Sequence, residues 1–125
     1  IQSPFVISWK NVQELLEDGA VSPTERYGQR VKLDSSAIPT MEIYVEKFSA
    51  KSNTIPNKST SGRLFICVEG SGYTKVDEKK FDWRRGNVIA VPSWHNFSHF
   101  SETESILFEI NDEPVIQAFG WYREE

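Results

Sequence analysis

The chain has 125 residues, 38% of them hydrophobic and 13% aromatic, which suffices for one packed core and gives no reason to invoke a second. Its 14 basic and 18 acidic residues are scattered in both signs and leave a net charge of −4, so there is no electrostatic footprint for nucleic acid or an anionic membrane. A lone cysteine, Cys67, excludes an internal disulfide, and no apolar run has the length of a signal or membrane segment; a reducing, cytoplasmic compartment is expected.

Two Asn-x-Ser sequons, at Asn57 and Asn96, carry little weight without a secretory signal. The chain opens at Ile1 rather than Met, so a fragment, a processed chain or one half of a longer protein is expected. Ser8 can cap a short amphipathic helix over about 8–18, in which Val12, Leu15 and Leu16 recur at helical spacing and Gly19 supplies the stop. Such a helix would lie on a sheet as a lid. From residue 29 the pattern becomes β: 30–33, 41–48, 64–68, 73–76, 80–83, 88–91, 96–100 and 105–110 are short runs rich in β-branched and aromatic residues. Pro39, Pro56, Gly70, Gly72, Gly86 and Pro92 stand at the breaks, and 51–62 is the longest polar loop. A last helical turn is expected over about 113–119, with Pro114 in its first turn. The elements predict one all-β domain over 1–125: an antiparallel β-sandwich or jelly-roll barrel over about 29–111, with short helices at both ends.

Two strand-and-turn modules carry a resemblance. The first is Val68-Glu69-Gly70-Ser71-Gly72-Tyr73; the second runs from Phe81 through Trp83, Gly86 and Val88 to Pro92, Trp94 and both histidines, His95 and His99. Their order and spacing resemble a cupin. The closing Asp112-Glu113-Pro114-Val115 and Tyr122-Arg123-Glu124-Glu125 narrow the resemblance to the carboxy-terminal cupin of gentisate 1,2-dioxygenase and 1-hydroxy-2-naphthoate dioxygenase. That resemblance spans nearly the whole chain, and it implies a ring-cleaving dioxygenase ancestry.

Cupins that activate dioxygen hold iron with three imidazoles, whose neutral nitrogens on a rigid barrel leave positions open for oxygen and substrate. By the family's spacing the three ligand positions fall on Asn57, Ser59 and Phe97. None is a histidine, so the resemblance implies a barrel without the iron site, and no cofactor is expected; iron enters only if that reading fails.

His95 and His99 are the candidate catalytic residues. If 95–99 is extended, His95, Phe97 and His99 share one face, turned inward by the resemblance. Two imidazoles there could serve as general acid and base, or bind a metal with Glu109, Glu46 or Cys67; the alternative is a hydrogen-bonded pair in an aromatic interior or on its rim. Candidate ligand-binding residues are Arg63, Phe65, Cys67, Trp94 and Phe97, which would make an apolar pocket plugged by Phe97, with Arg63 placed to meet a carboxylate.

The expectation is a metal-free cupin with a structural or small-ligand-binding role, resembling the second half of a two-cupin enzyme. Two rivals stay open: a metal-independent isomerase or lyase using His95 and His99, and a ring-cleaving dioxygenase with a non-standard metal set. The expected partners are a small aromatic or oxygenated ligand and further copies of the chain, as a homodimer or larger assembly, because open strand edges invite pairing.

Overall fold

A computed structural model describes residues 9–18, 29–33 and 40–124. Helix α1 (Trp9–Asp18) precedes nine strands: β1 (Gln29–Leu33), β2 (Glu42–Phe48), β3 (Ser52–Asn53), β4 (Arg63–Glu69), β5 (Ser71–Val76), β6 (Lys79–Arg84), β7 (Val88–Val91), β8 (Phe97–Ser101) and β9 (Ser105–Asn111). Helix α2 (Glu113–Ala118) follows. The expected caps at Ser8 and Gly19 lie outside the described residues.

The strands form two antiparallel sheets, one ordered β1-β2-β9-β4-β7 and the other β3-β8-β5-β6. This is the jelly-roll sandwich expected from the strand pattern. Alternation decides which side chains meet between the sheets. From the five-stranded sheet, Phe48, Phe65, Cys67, Ile89, Val91 and Leu107 turn inward; from the four-stranded sheet, Trp83 and Phe97 meet them. The opposite parity faces α1: Val12 and Leu16 pack on Val31, Leu33, Val45 and Ile106, and Trp9 lies against Phe108 at 6.0 Å between rings. The helix is therefore the lid its spacing predicted.

The polar stretch 51–62 differs from the loop expected. It contributes β3, and it makes isolated bridges from Asn57 to Phe97 and from Ser59 to Glu124. No alternation signals these pairings, because strand β3 has two residues and the bridges one each.

Close sheet approach constrains one glycine sharply. Gly72 on β5 faces Phe100 on the neighbouring strand and the Trp83 ring, and a Cβ there would sit 2.0 Å from the Phe100 carbonyl oxygen and 2.9 Å from the indole. Gly72→Ala is expected to destabilise the fold by about 3 kcal/mol, the upper range for overpacking, because both neighbours are fixed. Urea denaturation of the variant against wild type checks this; an unchanged midpoint would contradict the packing described.

Candidate functional site

Inside the sandwich the two sheets present different chemistry. Glu109 on β9 is fully buried, yet three donors converge on its Oε2: Arg63 Nη1 at 2.7 Å, Arg30 Nη2 at 2.9 Å and Asn111 Nδ2 at 2.6 Å. Register explains the convergence. Arg30 stands directly opposite Glu46, Tyr44 opposite Glu109, and Arg63 opposite Asn111, so β1, β2, β9 and β4 all turn charged or polar groups to one place. The two guanidiniums hold the Glu109 carboxyl below the ordinary carboxylate range despite its burial. Glu46, also buried, goes the other way: desolvation and the neighbouring Glu109 charge push it up, against the pull of Arg30 and Arg63.

The three positions that the resemblance assigns to iron ligands lie in one region of the interior. Asn57, Ser59 and Phe97 are all buried, and Asn57 bridges Phe97 across the chain. Arg63 reaches into this group: its Nη2 donates to Ser59 Oγ at 3.2 Å, and its Cζ lies 5.5 Å from the Phe97 ring centre. The terminal segment straps the same place. Thr60 N donates to the Arg123 carbonyl and Arg123 N to Thr60 Oγ1, both at 2.9 Å, while Thr60 Oγ1 donates to the Trp121 carbonyl at 3.0 Å. The closing motif noticed in the sequence thus pins the segment that carries Asn57 and Ser59.

These residues do not fit an iron ion. Phe97 has no donor atom, the amide and hydroxyl are weak neutral ligands, and a guanidinium already stands among them as a fixed positive charge. Among the described residues no three His, Cys, Asp or Glu side chains are grouped to hold a metal.

The two histidines part company. His99 is buried on β8, against Phe48, Phe65 and Phe97, with the Phe65 ring 4.4 Å away edge-on. Trp83 Nε1 donates to Thr74 Oγ1 at 2.9 Å, and the same hydroxyl shares a hydrogen bond with His99 Nδ1, 2.8 Å away, while His99 Nε2 is buried without a hydrogen-bond partner. Burial lowers its pKa to about 4, leaving a neutral imidazole at neutral pH. His95, expected on the same inward face, is instead exposed. The reason is local: the chain turns at Trp94, whose φ is +62°, and β8 begins only at Phe97. Asp77 holds the turn, with its Oδ2 2.6 Å from His95 Nδ1 and its Oδ1 accepting from Asn96 N at 3.1 Å. The two imidazoles therefore do not form one acid–base pair.

Of the five expected ligand-binding residues, Arg63, Phe65, Cys67 and Phe97 lie together in the interior. Trp94 does not. Its positive-φ turn carries the indole to the surface, with Lys58 Nζ 4.6 Å above the ring. Phe65, Cys67 and Phe97 share one apolar cluster, and beside it the Arg63 guanidinium is bonded to the Glu109 carboxylate. Cys67 packs as a small apolar group, with burial pushing its thiol pKa up. Arg30, Asn111, Thr74 and Trp83 belong to the site but were not singled out as such from the sequence. Glu46 and Glu109 were considered only as partners for the histidines. A usable signal exists: Glu46 has the parity of buried Phe48, and Glu109 that of Leu107.

The fold is that of a cupin domain. No family model matches the chain. The relatives it resembles are 1,2-dioxygenases. It is 29% identical over 89 residues to gentisate 1,2-dioxygenase 1 of Aquipseudomonas alcaligenes, covering 71% of this chain and 26% of that protein. It is 28% identical over 132 residues to 1-hydroxy-2-naphthoate 1,2-dioxygenase of Nocardioides sp. strain KP7, covering 98% and 34%. The chain thus spans about a quarter to a third of the length of these relatives. Among solved structures, a salicylate 1,2-dioxygenase from Pseudaminobacter salicylatoxidans superimposes with TM-score 0.82 at 19% identity, over 95% of this chain and 38% of that one. The Schizosaccharomyces pombe Cnp3 cupin domain does so with TM-score 0.61 at 17%, over 74% and 70%.

Phe97 carries the apolar half of the site, in contact with Phe65 at 5.5 Å and His99 at 5.6 Å between rings. Phe97→Ala is expected to destabilise the fold by about 3–5 kcal/mol, as loss of a buried aromatic does. A variant that melts like wild type would mean that the ring does not plug the interior.

Proposed function

We propose that this chain is an iron-free cupin with a structural or small-ligand-binding role, serving as the second cupin of a longer aromatic-ring dioxygenase. The observation that carries the reading is the set Asn57, Ser59 and Phe97 at the three expected ligand positions, with the Arg63 guanidinium bonded to Ser59 at 3.2 Å. Similarity to dioxygenases several times longer supports a place beside another domain. A small aromatic or oxygenated ligand would meet Phe65, Phe97 and Cys67 on one side and Arg63 on the other. The reading keeps a homodimer or larger assembly, favoured by the exposed Leu64 and Val88 beside the edge strand β7, and it keeps the cytoplasm, where a free thiol such as Cys67 persists. The isomerase or lyase alternative loses its geometric basis with His95 at the surface.

Elemental analysis of protein produced in iron-rich medium tests the proposal. Iron far below one per chain is expected, and the triple variant Asn57→His, Ser59→His, Phe97→His is expected to gain weak divalent-metal binding at a cost in stability. About one iron per wild-type chain, lost on His99→Ala, would overturn it.

A further inference from the structure

The carboxyl groups of Glu46 and Glu109 are side by side and unequally served. All three donors at the cluster bond to Glu109 Oε2, and none reaches Glu109 Oε1 or either oxygen of Glu46. Among the described residues the cation paired with Glu46 is Arg30, whose Nε stands 3.5 Å from Oε1, longer than an N–H···O hydrogen bond. Glu46 is 1% exposed, so water does not replace the missing donors at its surface. A bare, buried carboxylate next to a second carboxylate is an unfavourable arrangement, and a proton on one of them removes both defects. It neutralises Glu46 and makes that group the donor that Glu109 Oε1 lacks.

We propose that the barrel interior is a proton-binding site, in which Glu46 is a carboxylic acid donating to Glu109 Oε1 and Glu109 is the carboxylate clamped by Arg30, Arg63 and Asn111. The assignment goes beyond the iron-free reading and does not depend on it. With Glu46 neutral, the cluster holds two guanidiniums and one carboxylate and is net positive; the missing donors at Glu46 and its burial, not charge balance, favour the proton. Burial first, and then the Glu109 charge, raise the Glu46 pKa from its ordinary 4.5 to about 8, while Arg30 and Arg63 pull it down. Further titratable groups face the cluster: Glu113 from α2, whose carboxyl burial pushes up, Glu42 and Tyr44 from β2, and His99 from β8. Tyr44 lies beside Glu46 on β2 with its ring 3.6 Å from Arg30 Cζ, and its hydroxyl is pushed up to about 12, so it stays neutral. His99, which feels both Glu109 and Arg63, titrates near 4.

The sign follows from linkage. Above pH 4.5 the unfolded chain releases the Glu46 proton, whereas the folded chain keeps it until about pH 8. Folding takes up a proton in this window, and stability falls as pH rises through it. His99 has the opposite sign: its folded pKa is lowered from 6.5 to about 4, so its contribution rises with pH and is complete a little above 6.5. The interval from about pH 7 to about pH 8 therefore isolates Glu46, and subtracting a variant at each pH removes the other groups.

The experiment is urea denaturation of wild type and Glu46→Gln across that interval, with infrared spectra of the folded wild-type chain at neutral pH. Glutamine copies the neutral acid, since its amide can donate to Glu109 Oε1. The wild-type folding equilibrium constant is expected to fall by up to about tenfold per pH unit relative to Glu46→Gln, whose own dependence should be flat. The folded wild type should also show the carbonyl band of one protonated carboxylic acid, absent once Glu46 is replaced. Equal slopes in the two proteins would overturn the assignment. If Glu46→Gln does not fold, the wild-type spectrum decides: a protonated-carboxyl band at neutral pH that disappears as pH rises through about 8 supports the site, and its absence at neutral pH overturns it.

Discussion

The buried carboxylate of Glu109 is the interaction on which the rest of this interior depends. It sits on β9, a central strand of the five-stranded sheet, and receives Arg30 from β1, Arg63 from β4 and Asn111 from its own strand. An ionised group at that depth is tolerated only where its partners are fixed and bonded. Those partners in turn reach outward. Arg63 extends from Glu109 to Ser59, and Ser59 belongs to the segment that 121–124 straps in place. One carboxylate therefore links the sheet to the polar stretch that carries Asn57 and Ser59.

A boundary runs through the interior. On one side lie the ionic groups of β1, β2, β4 and β9; on the other are the rings of Phe48, Phe65, Phe97 and Trp83. His99 stands at that boundary, its ring held by the Thr74 hydroxyl, and its imidazole neutral because burial disfavours the charged form. The arrangement fixes orientation more than it offers open coordination. Phe97 fills space where an imidazole would bind, and Arg63 supplies a positive charge that a dication would otherwise bring. Both features support the iron-free reading proposed above.

The strands, the lid helix and the second helix were legible because their side chains alternate or recur at a readable period. Strand β3 and the bridges at Asn57 and Ser59 were not, being too short and too polar to carry a period. The resemblance, through the family's spacing, singled out Asn57, Ser59 and Phe97, and all three are buried. It failed for His95 and Trp94, because an extended run was assumed where Trp94 adopts a positive φ and breaks it. The ionic cluster could be read residue by residue from parity, yet its assembly could not, since only the pairing of β1 with β2 and of β2 and β4 with β9 brings Arg30, Glu46, Glu109 and Arg63 together.

If Glu109 anchors the interior through Arg63, the two residues must be energetically coupled. A double-mutant cycle of Arg63→Met, Glu109→Gln and the pair, read by equilibrium denaturation, measures this directly. Each single change is expected to cost about 3–5 kcal/mol because it leaves a buried partner unmatched, and the pair should cost clearly less than the sum. Additive costs, agreeing within about 0.5 kcal/mol, would contradict the account.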